Sequence, residues 1–207
     1  MIDKREHILE TAERLFAEFG YEGTSVRELA KKAKVNVAMI SYYFGSKEKL
    51  METLIETRSL FLREQLIVLN KEEKDPLKRV DMMVEYYVNR IFNMRDFHKI
   101  LEREITLQQR SRFKEKIKGL VLGNFEEVRK IIEYGQRKKI FRKVDIQMTM
   151  ASLIGGISKA INSSYIFDES INSRDLQYDM KADQHRKRIT KHIKEMLRSH
   201  LVLSTGK

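Results

Sequence analysis

The chain contains almost none of the residues that interrupt a helix. Pro76 is the only proline in 207 residues, and there are nine glycines. Closely spaced strands need frequent turns, which are rich in proline and glycine, whereas the apolar residues here recur at steps of three and four. The sequence therefore predicts an all-α protein, and its 42% hydrophobic content is enough for a sizeable core.

The first forty-six residues divide into three helical patterns, the last two of them short. Each pattern begins after a residue that can cap a helix and ends at a turn or a glycine. The predicted N-caps are Asp3, Ser25 and Asn36, with Ser46 capping the helix that follows, and Gly20 and Gly45 are the predicted ends of the first and third helices. Two short helices joined by a tight turn predict a helix-turn-helix.

The third of these helices has a bulky side and a lean side. At about 100° per residue, Val37, Ile40 and Phe44 fall on one side, Tyr43 lies at its edge, and Ala38, Ser41 and Tyr42 fall on the other. Small residues permit close approach to a groove of DNA, and a tyrosine hydroxyl can bind a phosphate. Most aromatic residues of short helices are core residues, so we expect Tyr43 and Phe44 to be buried.

Polar residues at two helix starts are placed to contact phosphates. Lys47 lies in the first turn of the fourth helix, and Thr24, Ser25 and Arg27 lie at the opening of the second. The amide groups of a helix N-terminus attract anions, which would add to these side chains. Each residue alone is as well explained as a cap or a solvated charge.

The run ILETAERLFAEFGYEGTSVRELAKKAKVNVAMISYYFGSKEKLMETL, Ile8 to Leu54, resembles the N-terminal domain of the TetR family of transcriptional regulators. The phrases LFAEFGYEGTSVRELA and ISYYFGSKEKL carry most of the resemblance, which covers about a quarter of the chain. It implies an all-helical dimer whose recognition helices enter successive major grooves of a palindromic operator in double-stranded DNA. By motif position it implies phosphate or base contacts from Thr24, Ser25, Arg27, Val37, Ala38, Met39, Ser41, Tyr42, Tyr43 and Lys47.

The rest of the chain predicts a larger helical bundle. Apolar spacing predicts helices from Lys47 to Leu69, from Pro76 to about Phe92, from Phe97 to about Gln109 and from Phe113 to about Lys139, with two more near the C-terminus. We therefore expect a helix-turn-helix DNA-binding domain in residues 1–46, and a helical effector-binding and dimerisation domain in residues 47–207.

Small-molecule sites in helical bundles lie between helices and are lined by apolar and aromatic residues. The candidates for contact with an unknown effector are Tyr86, Tyr87, Phe92, Phe97, Leu101, Glu104 and Phe125. For any one of these apolar side chains an ordinary place in the core is the more frequent role. The basic segment 110–143 would attract an anionic effector, although a solvated face is the more frequent explanation of such a segment.

The last two predicted helices carry the candidate dimer contacts. Small residues recur at steps of four in the first of them, which leaves one face without bulk for close helix packing. The second follows a polar connection from Asp168 to Asp183 and bears an apolar stripe. The resemblance implies that both helices pair with their symmetry mates, through Ser152, Gly156, Ala160, Ile189, Ile193 and Leu197. The alternative is that the small face packs inside one subunit.

Charge and composition limit the other function classes. The net charge is +11, but residues 1–46 carry seven basic and seven acidic side chains, and the excess lies in residues 108–143 and 181–207. An enzyme is disfavoured, because there is no cysteine, the five histidines lack metal-ligand spacing, and no glycine-rich phosphate loop is present. We predict no cofactor and no metal.

The expected location and function follow from the same features. The first residues are charged, and no apolar run approaches the roughly 18 residues of a membrane helix, so we expect neither a signal peptide nor a membrane span, and a cytoplasmic protein. The function expected is that of a dimeric repressor released from its operator by a small molecule. A DNA-binding protein without a regulatory role is the alternative.

The composition of the third helix predicts how it reads bases. Many family members have a lysine and a glycine where this chain has Val37 and Ala38, and the outward face offers no arginine, glutamine or asparagine for bidentate contact with a purine. We therefore expect apolar contact with thymine methyl groups, together with Ser41. Replacing contacted thymines by uracil should weaken binding, and an affinity unchanged by this replacement would refute thymine readout.

Overall fold

The structure, a computed structural model, describes residues 3–107, 111–162 and 177–202. Within these ranges the chain forms α1 (Lys4–Phe19), α2 (Val26–Ala33), α3 (Val37–Phe44), α4 (Lys47–Glu72), α5 (Pro76–Asn93), α6 (Arg95–Leu107), α7 (Lys114–Arg137), α8 (Ile146–Asn162) and α9 (Gln177–Leu201). An isolated antiparallel bridge joins Phe141 to Val202. The all-α prediction is confirmed. In the described part of the chain, no helix combines the length and apolarity needed to cross a membrane.

The starts and ends of the first helices are set by local chemistry. Side-chain oxygens of Asp3, Ser25, Asn36 and Ser46 accept hydrogen bonds from backbone N–H groups of the first turns they precede, as predicted. Gly20 and Gly45 end α1 and α3 with φ angles of 79° and 77°, which glycine adopts without a Cβ penalty. One terminus was not predicted: Lys34 ends α2 in the left-handed conformation.

Helix α9 begins earlier than the sequence indicated. The predicted connection extended to Asp183, but residues 177–183 are helical, and within the helix Asp183 pairs with Arg186 and Lys187. Ion pairs three and four residues apart stabilise a helical turn, so this polar segment does not need to be a loop. Residues 168–176 of that connection lie outside the described residues, as do residues 108–109 and 163–167, which were expected to end two of the helices.

The chain divides into two compact units, residues 1–61 with 94–121 and residues 62–93 with 122–207. The first core is built from α1, α2, α3, α6 and the starts of α4 and α7. The second is built from the later parts of α4 and α7 with α5, α8 and α9. The first unit is larger than residues 1–46, because α1 packs against α6 as well as against α2. The division of functions at residue 46 stays a prediction.

Polar contacts fix the position of α1 in the first unit. The Arg58 guanidinium on α4 donates to the carboxylates of Glu6 and Glu13 on α1, at 2.7 and 2.8 Å. Arg103 on α6 donates to the carbonyl oxygen of Phe16 at 3.1 Å, in the last turn of α1. These bonds reach α1 from two neighbouring helices, and in each of them the donor is a charged guanidinium group, which makes the bond stronger than one between neutral groups.

The apolar stripe of α9 faces the core of its own subunit. Ile189, Ile193 and Leu197 are buried in the second core, where α9 packs against α5 and α8. Burial within the subunit already accounts for these three residues, and their contact with a symmetry mate stays a prediction. By contrast, Ser152 and Gly156 on α8 are exposed and Ala160 is half-buried.

Two glycines of α7 provide a matched test of how closely α7 packs against Phe141. A Cβ at Gly135 would come within 2.0 Å of the buried Phe141 ring, whereas a Cβ at Gly119 meets no atom within 4 Å in the described structure. We expect Gly135→Ala to destabilise the protein by about 1–3 kcal/mol through overpacking. Gly119→Ala should stabilise it by about 1 kcal/mol through helix propensity. Thermal unfolding measures both, and a Gly135→Ala variant as stable as the wild type would contradict the packing.

Candidate nucleic-acid interface

Helix α3 presents its lean side to solvent. Ile40 and Phe44 are buried, whereas Tyr42 is 83% exposed and Ala38 and Ser41 are exposed beside it. The orientation expected for these five residues is confirmed. The exposed residues of the helix are Val37, Ala38, Ser41 and Tyr42, so Tyr42 is the one aromatic side chain on the exposed face. Such a face allows the helix backbone to come close to the edges of bases in a major groove.

The remaining residues of α3 differ in part from expectation. Val37, the first residue of the helix, was placed on the bulky side but is 39% exposed. Met39 and Tyr43 are half-buried. The Tyr43 ring packs against the first core and meets the Tyr42 ring edge-on, with centroids 5.1 Å apart. Tyr43 thus restricts the position of Tyr42, and edge-on pairs of this kind are favourable.

The opening of α2 supplies two exposed polar side chains and one buried side chain. Ser25 is exposed and caps the helix by accepting from the Glu28 N–H, and Arg27 is exposed. Thr24 is fully buried, and its hydroxyl donates to the Gly20 carbonyl oxygen at 2.9 Å. The expected phosphate contact from the Thr24 side chain is therefore corrected, because this hydroxyl is sealed inside the loop between α1 and α2.

Lys47 also has an internal role that the sequence did not indicate. Its ammonium group donates to the carbonyl oxygens of Tyr21 and Thr24, at 2.9 and 3.0 Å, and lies 4.1 Å from the centre of the Tyr21 ring. Two of its three N–H groups are thus used inside the protein. We call Lys47, Tyr21 and Thr24 the loop clamp, because they join the start of α4 to the loop that precedes α2.

The loop clamp is supported from a third helix. The Tyr21 ring meets the Phe113 ring edge-on, at 4.8 Å between centroids, next to the start of α7. Burial is the main reason that the pKa of the Tyr21 hydroxyl is raised above its ordinary value. Sequence reasoning missed Tyr21, since nothing in the local pattern indicates that its carbonyl oxygen meets a side chain 26 residues away.

The structure also explains how residues 1–46, which carry no net charge, can attract DNA. Among the acidic residues of the segment, Glu6 and Glu13 pair with Arg58, and Glu22 pairs with Arg112. The basic side chains on and after α2 are exposed, namely Arg27, Lys31, Lys32 and Lys34. A local excess of positive charge therefore lies beside α3, and such charge supplies the sequence-independent part of DNA affinity.

The seven residues proposed for effector contact divide between the two cores. Phe97 and Leu101 belong to the first core, and the buried Glu104 carboxylate accepts from the Ser111 hydroxyl at 2.6 Å in the same unit. These three residues pack in the first unit, and their contact with an effector stays a prediction. The other four belong to the second core or pack against it: Tyr86, Tyr87, Phe92 and Phe125.

Two short helices joined by a tight turn, with an exposed lean face on the second, define a helix-turn-helix DNA-binding protein. Residues 8–54 match the signature of a family described as bacterial regulatory proteins, tetR family. The transcriptional repressor NicS of Pseudomonas putida is 31% identical over 151 residues, which cover 72% of this chain and 71% of NicS. The chain belongs to the TetR family of transcriptional regulators.

Two further comparisons show how far the similarity extends. The transcriptional regulator YttP of Bacillus subtilis is 54% identical over 54 residues, and these cover only 26% of this chain and 26% of YttP. The solved structure of HlyIIR, a haemolysin II transcriptional regulator, superposes with a TM-score of 0.67 and 27% identity, over 91% of this chain and 96% of HlyIIR. High sequence identity to YttP is thus limited to a short segment, whereas the fold shared with HlyIIR covers nearly the whole chain.

The loop clamp and a phosphate contact predict different effects of salt. Removing one phosphate contact lowers the slope of log affinity against log salt by about 0.9, and we expect this for Arg27→Met. Lys47→Met should leave the slope unchanged, because the ammonium is held by carbonyl oxygens, and should lower the free energy of unfolding by about 1–3 kcal/mol. Fluorescence anisotropy at several salt concentrations and chemical denaturation measure the two effects. A lowered slope with unchanged stability for Lys47→Met would show that the residue binds phosphate instead.

Proposed function

We propose that the protein is a dimeric transcriptional repressor that binds a palindromic operator through α3 and is released by a small-molecule effector. The observation that carries this proposal is the exposed lean face of α3, supported from behind by the buried Ile40 and Phe44. The family and its relative NicS, a repressor, support the regulatory role. Effector-dependent release is the part of the proposal that depends most on the second unit.

The dimensions of α3 suit a major groove. An α-helix with its side chains is about 10–12 Å in diameter, close to the groove width of about 12 Å. In this placement Val37 and Ala38 contact thymine methyl groups, and Ser41 binds a base edge. Met39 and Tyr43 lie at the margin of the contact. The Tyr42 hydroxyl, Ser25 and Arg27 bind phosphates on either side, while the loop clamp holds the start of α4 against the loop that leads into α2.

The dimer is proposed to form through the exposed small face of α8 and the adjacent surface of α9. Ser152, Gly156 and Ala160 line a groove of about 640 Å³ between these helices, together with Met196. A Cβ added at the neighbouring Gly155 would meet no atom within 4 Å in the described structure, so this part of α8 is open. A two-fold dimer would bury this self-complementary surface. It would also set two α3 helices about 34–36 Å apart, as successive major grooves require.

The effector is proposed to bind in the second unit, near Tyr86, Tyr87, Phe92 and Phe125. The basic segment 110–143 is a weaker candidate for its site. Many of the described basic residues of that segment already pair with carboxylates, as in the contacts of Lys116 with Glu56 and of Arg129 with Glu126. An effector that binds better to a state unfit for the operator would release the DNA by population shift.

Operator binding by a symmetric dimer is tested with DNA from upstream of the protein's own gene, at stated salt, with and without a panel of small molecules. Lengthening the spacing between half-sites by about 5 base pairs rotates them to opposite sides of the duplex, so binding should weaken greatly. Equal binding to both operators would contradict the paired geometry. Protection of DNA without preference for any site would favour a DNA-coating protein.

A matched pair of glycine variants tests the dimer surface. Gly155→Glu places a charge on the proposed interface, and Gly119→Glu places the same charge on α7, where a Cβ likewise meets no atom within 4 Å in the described structure. We expect Gly155→Glu to be monomeric in sedimentation and to bind the operator on the order of a hundredfold more weakly, because the two DNA-binding domains are no longer linked. Gly119→Glu should remain dimeric. A dimeric Gly155→Glu variant would place the interface elsewhere.

A further inference from the structure

Tyr87 places a hydroxyl group in an apolar core without a partner. The residue is 3% exposed, and its hydroxyl oxygen is buried and makes no hydrogen bond within the described structure. Burial raises the pKa of Tyr87 above its ordinary value, so the group stays neutral and keeps its proton. A buried hydroxyl has lost its bonds to water, and the protein does not replace them here.

Helix geometry explains why surface groups do not reach this hydroxyl. Tyr87 lies on the face of α5 that carries Val80, Val84 and Ile91, all of them buried in the second core. Asp81, Glu85 and Asn89 lie on the other side of α5, about 200° away for Glu85, and they bind Arg198, Lys194 and Arg186 of α9. Two of these contacts are ion pairs, and we call their four residues, Asp81, Arg198, Glu85 and Lys194, the ion-pair ladder. Its polar groups are turned away from Tyr87.

A phenylalanine at this position would fill nearly the same space without losing a hydrogen bond to water. Unsatisfied buried polar groups are few in native proteins, and each one needs an explanation. The side chains that pack at the edge of the same core include Met82, Tyr86, Phe92 and Phe125, which are partly buried. Methionine in particular adapts to altered packing, so a ligand that enters here would do so by displacing these partly buried side chains.

The buried charges of the second unit already have partners. Arg79 donates to the Glu73 carbonyl oxygen and lies over the Tyr134 ring. The Glu127 carboxylate accepts from Asn70 and from Lys130, at 3.0 and 2.7 Å. An ionic ligand in this core would therefore have to break existing contacts, because an unpaired buried charge is strongly disfavoured. These contacts favour a ligand without charge.

We propose that the Tyr87 hydroxyl is the hydrogen-bond donor that recognises the effector, and that the effector is a neutral, mainly apolar molecule with a carbonyl-type acceptor. This inference rests on the proposed function only in calling the ligand an effector, since binding itself is measured without DNA. The ligand would bury its apolar part against the second core and supply the acceptor that the protein lacks. A site with one such donor discriminates against analogues without the acceptor.

Two probes of nearly equal shape test this donor. Acetophenone carries a carbonyl group, and ethylbenzene is its close analogue without one. Isothermal titration should show that the wild-type protein binds acetophenone about tenfold more tightly than ethylbenzene, and that Tyr87→Phe binds the two alike. Tyr134→Phe is the matched control, because its hydroxyl donates to the Lys74 carbonyl oxygen at 3.0 Å in the same unit. This control should keep the wild-type preference.

Thermal unfolding without any probe gives a second, independent measurement. Tyr87→Phe should unfold at the wild-type temperature or above it, since no bond is lost, whereas Tyr134→Phe should unfold about 1–4 °C lower. A clear loss of stability in Tyr87→Phe would show that the hydroxyl has a partner and would overturn the proposal. Failure of the wild-type protein to bind acetophenone, or equal binding of both probes, would overturn it as well.

The result of the probe-binding experiment can be distinguished from the result of the experiment that tests the proposed function. Operator binding by the wild-type protein is measured in its own experiment, and its absence would remove the regulatory role. A preference for acetophenone that depends on Tyr87 would still establish a ligand site in the second unit. Conversely, an operator-binding protein without this preference would keep its regulatory role and lose the assignment of Tyr87.

Discussion

The DNA-binding surface depends on how a helix of eight residues is held in place by two buried side chains. A helix this short is not stable by itself in water, so its neighbours must supply most of its stability. Ile40 and Phe44 anchor α3 in the first core, while Asn36 and Gly45 define its two ends. The face that is free of bulk is also the face without anchors. Function and stability therefore use opposite sides of the same helix, and rigidity has to come from the helices around it.

In the helices around α3, some charged side chains fix the positions of the helices, and others are exposed and can attract DNA. Arg58 on α4 is occupied by two carboxylates of α1, and Lys47 at the start of the same helix is occupied by two carbonyl oxygens. Both cations serve the fold, whereas Arg27 is exposed near α3. A count of charged residues cannot make this distinction, because it depends on which groups are partnered. The zero net charge of residues 1–46 consequently says little about affinity for DNA.

Local features of the fold could be predicted from the sequence, and contacts between distant residues could not. The caps at Ser25 and Asn36 follow from residues two or three positions apart, and α3 was correctly oriented from its periodicity. The internal bonds of Lys47 join segments more than twenty residues apart. No periodic pattern carries that information. For the same reason the division of the effector candidates between two cores was not predictable from an aromatic stripe.

Helix α9 shows why an apolar stripe does not identify a partner surface. Ile189 and Ile193 face the core of their own subunit, and the charged residues that join the ion-pair ladder occupy another side of the helix. The side left for a partner carries Met196 beside the small residues of α8. A helix that packs against two others has only part of its circumference free. The interface proposed above therefore uses residues with little bulk, because the large apolar residues already form the core that keeps α8 and α9 together.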